Sequence, residues 1–193
     1  MSEHTDRRVR RTRDALHRAL IELMIERGYE RVTVSDIIER ADVGRSTFYA
    51  HYRDKDDLLL VSCTEFLRRE IANTAAGASP LGRLRVLFQL AGRYPEVYRP
   101  LVGPKAATTV IHAYRRGLAD LIAELFEEWP TTTVAFVSWG LLGLTAEIID
   151  PADPLPAARA WQQFEKLVVN GISSGADPAT ADDATGQAPG SRR

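Results

Sequence analysis

The chain has 193 residues, 45% of them apolar, and a formal net charge of −1. This length holds one ordinary domain, or a small head on a larger body, and the composition supplies a sizeable core. The charge gives no global basic field for nucleic acid. The single cysteine, Cys63, rules out a disulfide framework within the chain and fits a reducing, cytoplasmic setting.

Arg7, Arg8, Arg10, Arg11 and Arg13 crowd the start with no acid among them. Such a run before a helix reads either as a phosphate or minor-groove arm or as a solvated, frayed terminus. The charged start also lacks the apolar run of a secretory leader. Over 11–27 a stripe of Leu16, Ala19, Leu20, Leu23, Met24 and Arg27 predicts a helix. Gly28 is a natural left-handed stop, after which Tyr29 can fold back onto the helix end. Thr33 is a natural N-cap, and Asp36 puts an acid near the positive end of the next helix. Val34, Ile37, Ile38 and Ala41 give that short helix one buried face. Asp42, Val43 and Gly44 then make a turn, and 45–49 a second short helix. This order is helix-turn-helix punctuation. Asp54 caps a connecting helix, assigned to 54–76, which runs through Leu59, Cys63, Phe66, Leu67 and Ile71 and ends near Gly77.

The second half is also helical. Helices are predicted over 81–94, 106–128, 131–150 and 156–172, with a short turn around 95–101. The breakers are Pro95, Pro100, Pro104, Pro130, Pro151 and Pro154. The uncharged stretch 131–146 is shorter than the roughly 18–20 residues that span a bilayer. It reads as a buried core helix, and no membrane partner is expected. Beyond Ser173 the composition predicts a disordered tail over 174–193. No strand pattern occurs, so the fold class is all-α. An N-terminal arm and three-helix helix-turn-helix head occupy 1–55, and a helical body occupies 56–173.

The stretch 10–59 resembles the DNA-binding head of the TetR family of bacterial regulators. The resemblance is carried by Arg11 and Arg13, Ala19-Leu20-Ile21, Gly28-Tyr29, Val32-Thr33-Val34, Asp36-Ile37 and Ala41. It continues through Val43, Arg45-Ser46-Thr47-Phe48-Tyr49, His51-Tyr52, Lys55-Asp56 and Leu58-Leu59. The residues also have roles of their own. Phe48 is the one large apolar side chain in the middle of the second short helix and should pin it to the core. Arg45, Ser46, Thr47 and Tyr49 then face outward, where a helix in the major groove meets base edges and phosphates. Tyr49, His51 and Tyr52 resemble the family's phosphate-contacting aromatic cluster, although Tyr52 can instead pack into the head. Thr33 and Lys55 stand at helix N-termini, where a phosphate is also favoured. With Arg10, Arg11 and Gly44 these complete the DNA-binding candidates. Two departures stand out. Many family members carry Gly in place of Asp42, and Ser or Thr in place of Gly44, so a hydroxyl contact is missing there.

The resemblance implies that the body binds a small molecule and forms a homodimer on palindromic double-stranded operator DNA. Pocket candidates are Phe88, Tyr94, Tyr98, His112, Tyr114, Phe136 and Trp139. His112 lies off its helix's apolar stripe and is either a flank histidine or a polar anchor. Glu147 is either an interface carboxylate or a cavity acid. Interface candidates on the last two helices are Leu141, Leu144, Ile148, Trp161, Phe164 and Val168, with Gly140 and Gly143 as close-approach points. No metal, cofactor or catalysis is expected. The four histidines lack metal-ligand spacing, and no phosphate-cradling loop or nucleophile motif occurs. Cys63, among apolar helical neighbours, reads as a buried thiol rather than a redox switch.

Overall fold

The computed structural model describes residues 2–74 and 79–174. All its regular elements are helical. They run α1 (Ser2–Arg27), a 3-10 turn (Tyr29–Arg31), α2 (Val34–Arg40), α3 (Arg45–Tyr49), α4 (Lys55–Asn73), α5 (Pro80–Arg83), α6 (Arg85–Arg93), α7 (Pro95–Val102), α8 (Thr108–Leu125), α9 (Thr131–Ile148) and α10 (Ala157–Ser174).

The predicted stripe of α1 is the buried one: Leu16, Ala19, Leu20, Leu23 and Met24 are at most 3% exposed, and only Arg27 turns outward. Its end differs from the expectation. Gly28 takes φ 79° but ψ 148°, outside the left-handed helical well and in a region essentially reserved for glycine. A Cβ there would meet nothing within 4 Å, so the backbone, not space, demands glycine. The chain leaves in a new direction, and Tyr29 reaches away from α1 to donate its hydroxyl to Asp56 of α4. The basic run at the start is not an arm but the continuation of α1. Its residues have good helix propensity, and nothing in the run breaks the helix.

Three further boundaries moved. The stretch assigned to a turn around Pro95–Leu101 is helix α7. Pro95 sits at its first turn, where the missing N–H is not needed, and Pro100 falls near its end. The single helix expected over 81–94 breaks at Leu84 into α5 and α6. The connecting helix is Lys55–Asn73, and its assigned end near Gly77 lies outside the described residues, as does 175–193 of the assigned tail. Ser174 closes α10.

Buried side chains from Leu16 to Val168 form one continuous core. α1 packs on α2 and α4 and also on α7, so the head leans on the body rather than hanging from one connector. At Gly117 of α8 an added Cβ would lie 3.0 Å from Thr64 Oγ1. Glycine there lets α4 lie tightly against the body, and the Arg68–Glu124 ion pair (2.8 Å) joins the same two helices.

A candidate nucleic-acid interface

The helix-turn-helix is built from backbone rules. Thr33 and Asp36 form a reciprocal capping box: the Asp36 N–H donates to Thr33 Oγ1 (3.2 Å), and the Thr33 N–H donates to Asp36 Oδ2 (2.8 Å). The Thr33 hydroxyl and then the Thr33 N–H, both donating to the Asp36 carboxylate, hold it with Arg27 down to about 2. α2 ends in a Schellman motif. The Val43 N–H donates to Ile38 O (3.0 Å), and the Asp42 N–H donates to Glu39 O (3.2 Å). This requires a left-handed residue, and Asp42 supplies it at φ 52°, a conformation Asp tolerates better than most non-glycine residues. Asp in place of glycine thus leaves the turn intact. Gly44 N-caps α3 in extended conformation, with no side-chain hydrogen bond.

α3 has five residues, of which only Phe48 is buried, at 0% exposure. Arg45, Ser46 and Tyr49 are exposed and Thr47 is half-buried. Tyr49 stands edge-on to Phe48 at 5.2 Å, and the Arg45 guanidinium lies 5.8 Å from the Tyr49 ring. One apolar side chain therefore anchors a helix whose remaining surface is a guanidinium, two hydroxyls and a phenol. Arg10 and Arg11 are exposed on α1, and His51 is half-buried just after α3.

Three candidates hold other posts. Tyr52 is 4% exposed and its hydroxyl accepts from Arg13 Nε (3.3 Å), so it belongs to the core of the head. Lys55 donates to the carbonyls of Tyr29 (3.1 Å) and Val32 (3.0 Å), with its ammonium 4.2 Å from the Tyr29 ring. It fastens the 3-10 turn to α4. The Thr33 hydroxyl is engaged in the capping box, donating to Asp36 Oδ2 (2.6 Å). Sequence spacing places all three beside the helix-turn-helix but does not say which side chains the fold itself uses.

The family described as "Bacterial regulatory proteins, tetR family" matches residues 16–61, the stretch that builds this head. The head of the chain is thus similar to that of the tetR family. It is 42% identical over 67 residues to the HTH-type transcriptional regulator YxbF of Bacillus subtilis, covering 32% of this chain and 18% of that protein. It is 34% identical over 86 residues to the HTH-type transcriptional regulator TcmR of Streptomyces glaucescens, covering 43% and 38%. The matches thus span well under half the length of either curated relative. Among solved structures, the TetR-family repressor FadR of Thermus thermophilus, in complex with lauroyl-CoA, shares the fold. It has TM-score 0.61 and 24% identity, over 88% of this chain and 99% of that one.

The body of the chain corrects several expectations. Of the pocket candidates, Tyr94 and Tyr98 line a cavity of about 230 Å³. Phe88 (0% exposed) packs on Phe164 and Trp161, and Tyr114 (0%) packs on Tyr98. Phe136 and Trp139 are on the outside at 66% and 45% exposure. His112 is also exposed, edge-on to Trp139 at 5.6 Å. The interface candidates Leu141, Ile148, Trp161, Phe164 and Val168 are buried within the chain itself, and Leu144 is half-buried. A helix apolar all round carries no sign of which stripe faces inward, so the inner and outer faces of α9 were exchanged. Gly140 meets Phe164 of α10, whereas a Cβ on Gly143 would meet nothing within 4 Å. Glu147 is exposed. α9 is long and apolar enough to cross a membrane by length and composition (mean hydropathy 1.2), yet it packs against α6, α7, α8 and α10.

Proposed function

We propose that this chain is a sequence-specific transcriptional regulator of the tetR family, acting in the cytoplasm as a homodimer on palindromic operator DNA. A small molecule bound in the body would release it. The observation that carries the reading is α3: Phe48 is its only buried residue, Arg45, Ser46 and Tyr49 are exposed, and Thr47 is half-buried beside them. A helix so presented fits a major groove, with Arg45 suited to guanine and Thr47 to an edge or a thymine methyl. Arg10, Arg11 and His51 would add phosphate contacts that set register. Residues 1–55 form the DNA-binding unit and 56–173 the ligand-binding and dimerisation unit.

Dimerisation is supported by the surface of the last two helices. Only 39% of Thr131–Ile148 is buried in a single chain. Phe136 and Trp139 on α9, with Leu167 and Val169 on α10, are exposed large apolar side chains. They need a cover, and a two-fold copy of the same face would supply it. These residues replace the buried interface candidates. Ligand control is supported by the cavity beside α4, the helix that joins head to body, and by the lauroyl-CoA bound to the Thermus thermophilus relative. The ligand must favour the DNA-incompetent arrangement. In a corepressor or activator the preference is reversed.

The deciding experiment is a fluorescence-anisotropy titration onto the DNA upstream of the chain's own gene, at two salt concentrations. Scrambled DNA and an Arg45→Ala/Tyr49→Ala variant stand beside it. Tight, salt-sensitive binding that prefers the native DNA and disappears in the variant supports the reading. Binding that the variant retains removes α3 from recognition. A helical interaction protein without DNA binding would bind neither DNA at low salt, with or without ligands.

A further inference from the structure

A cavity of about 230 Å³ lies where head meets body. His17 and Ile21 of α1 form one wall, Cys63 and Phe66 of α4 another, and Leu90 and Tyr98 close it from α6 and α7. It is almost wholly apolar except at His17. Next to it, a groove of about 610 Å³ runs between α1 and α4, lined by Arg7, Arg10, Arg13 and Arg69 against Asp14 and Glu65. His17 lines both spaces. The boundary is shared again at Phe66 and Arg69: Phe66 faces the cavity, Arg69 the groove, and the guanidinium lies 5.6 Å from the ring.

Two polar atoms at this junction are unused. His17 Nδ1 and Ser62 Oγ are buried with no hydrogen-bond partner among the described residues, and Ser62, which lines the groove, is only 6% exposed. Buried polar atoms are ordinarily paired, so such orphans call for a partner. Arg13 is taken up by Tyr52 and Glu65, but Arg69 makes no salt bridge among the described residues. Burial, helped by Arg69, lowers the pKa of His17 and favours a neutral ring that can present one N–H donor.

We propose that this seam binds an apolar monocarboxylate, its hydrocarbon body in the cavity and its carboxylate at the junction, facing Arg69, His17 and Ser62. A 150 Å³ apolar cavity holds benzene, so by proportion this one takes a body of about nine carbons. The occupant touches α1 and α7 at once and therefore fixes how the head leans on the body. Its regulatory meaning rests on the chain being a ligand-controlled DNA binder, whereas the binding itself does not.

The test is isothermal titration calorimetry of the full chain with octanoate and 3-phenylpropionate, with 1-octanol and octylamine as controls of matched size. Both acids should bind, octanol at least about 10-fold more weakly, and octylamine not at all, since one charge-assisted contact is worth about a factor of ten. Leu90→Trp, checked for folding by circular dichroism, fills the cavity and should abolish binding. Arg69→Ala, at an exposed position, should weaken the acids by about the same 10-fold and leave octanol unchanged. Failure of both acids to bind, equal binding of octanol, or unchanged affinity in Arg69→Ala overturns the site. Operator release is measured in parallel. Acids that bind without moving the DNA keep the site and remove its regulatory role. An operator released by another compound, with no acid bound, keeps the regulator and removes the site.

Discussion

Replacing Phe48 by alanine tests the central structural argument. Phe48 is 0% exposed and is the only buried residue of α3. Truncating a buried phenylalanine costs about 3–5 kcal/mol, a large part of the 5–15 kcal/mol that holds a typical domain together. For a chain of this size that corresponds to a fall in Tm of about 10 °C. The Phe48 ring also supports Tyr49 and Tyr52, at 5.2 and 5.9 Å between ring centroids, so the loss spreads to the neighbouring face. Urea unfolding followed by circular dichroism gives the magnitude. Hydrogen exchange gives the location: amides of 45–52 should lose protection first, because no other side chain of α3 is buried. The three tryptophans (Trp129, Trp139 and Trp161) all lie in the body, so their fluorescence separates a loosened head from a disrupted body. A destabilisation under about 1 kcal/mol, or unchanged protection over 45–52, would refute the claim that one side chain anchors the recognition helix.

Other residues give independent checks. Lys55→Met removes two hydrogen bonds to backbone carbonyls and should destabilise the head by about 1–3 kcal/mol. The salt dependence of DNA affinity should keep its slope, since Lys55 is spent on Tyr29 and Val32; a slope smaller by about one unit would mean that it neutralises a phosphate after all. Burial pushes the Cys63 thiol from 9.0 up to about 12. Its contribution is therefore fully present below pH 9 and is lost as pH rises toward 12, and iodoacetamide at pH 8 should label the unfolded chain much faster than the native one. Equal labelling rates would contradict burial of this thiol. Trp139→Ser with Leu167→Glu should shift the protein from dimer to monomer in sedimentation velocity without unfolding it, whereas an unchanged dimer would place the interface elsewhere.

How far the residues alone reach depends on whether a signal is local. The capping box at Thr33 and Asp36, the turn at Asp42, the apolar stripe of α1 and the lone Phe48 of α3 are all written in neighbouring residues. Spacing and backbone stereochemistry therefore predicted the helix-turn-helix and the outward set Arg45, Ser46, Thr47 and Tyr49. Helix boundaries governed by proline were less legible. Pro95 can begin a helix as well as end one, and α7 was read as a turn.

Sequence by itself determined that the chain is all-helical, that a helix-turn-helix stands near its start, and that Cys63 is buried among apolar neighbours. Only the tertiary structure decided which polar groups are spent inside the fold. Lys55 reaches carbonyls more than twenty residues earlier, and Tyr52 meets Arg13 across 39 residues. It alone decided that Phe136 and Trp139 face outward while Leu141 faces inward, because α9 is apolar on every side and periodicity cannot choose among its faces. The cavity at His17 is likewise a product of packing. Its walls come from four helices scattered over the first half of the chain, and no local pattern marks residues that meet only when those helices close together.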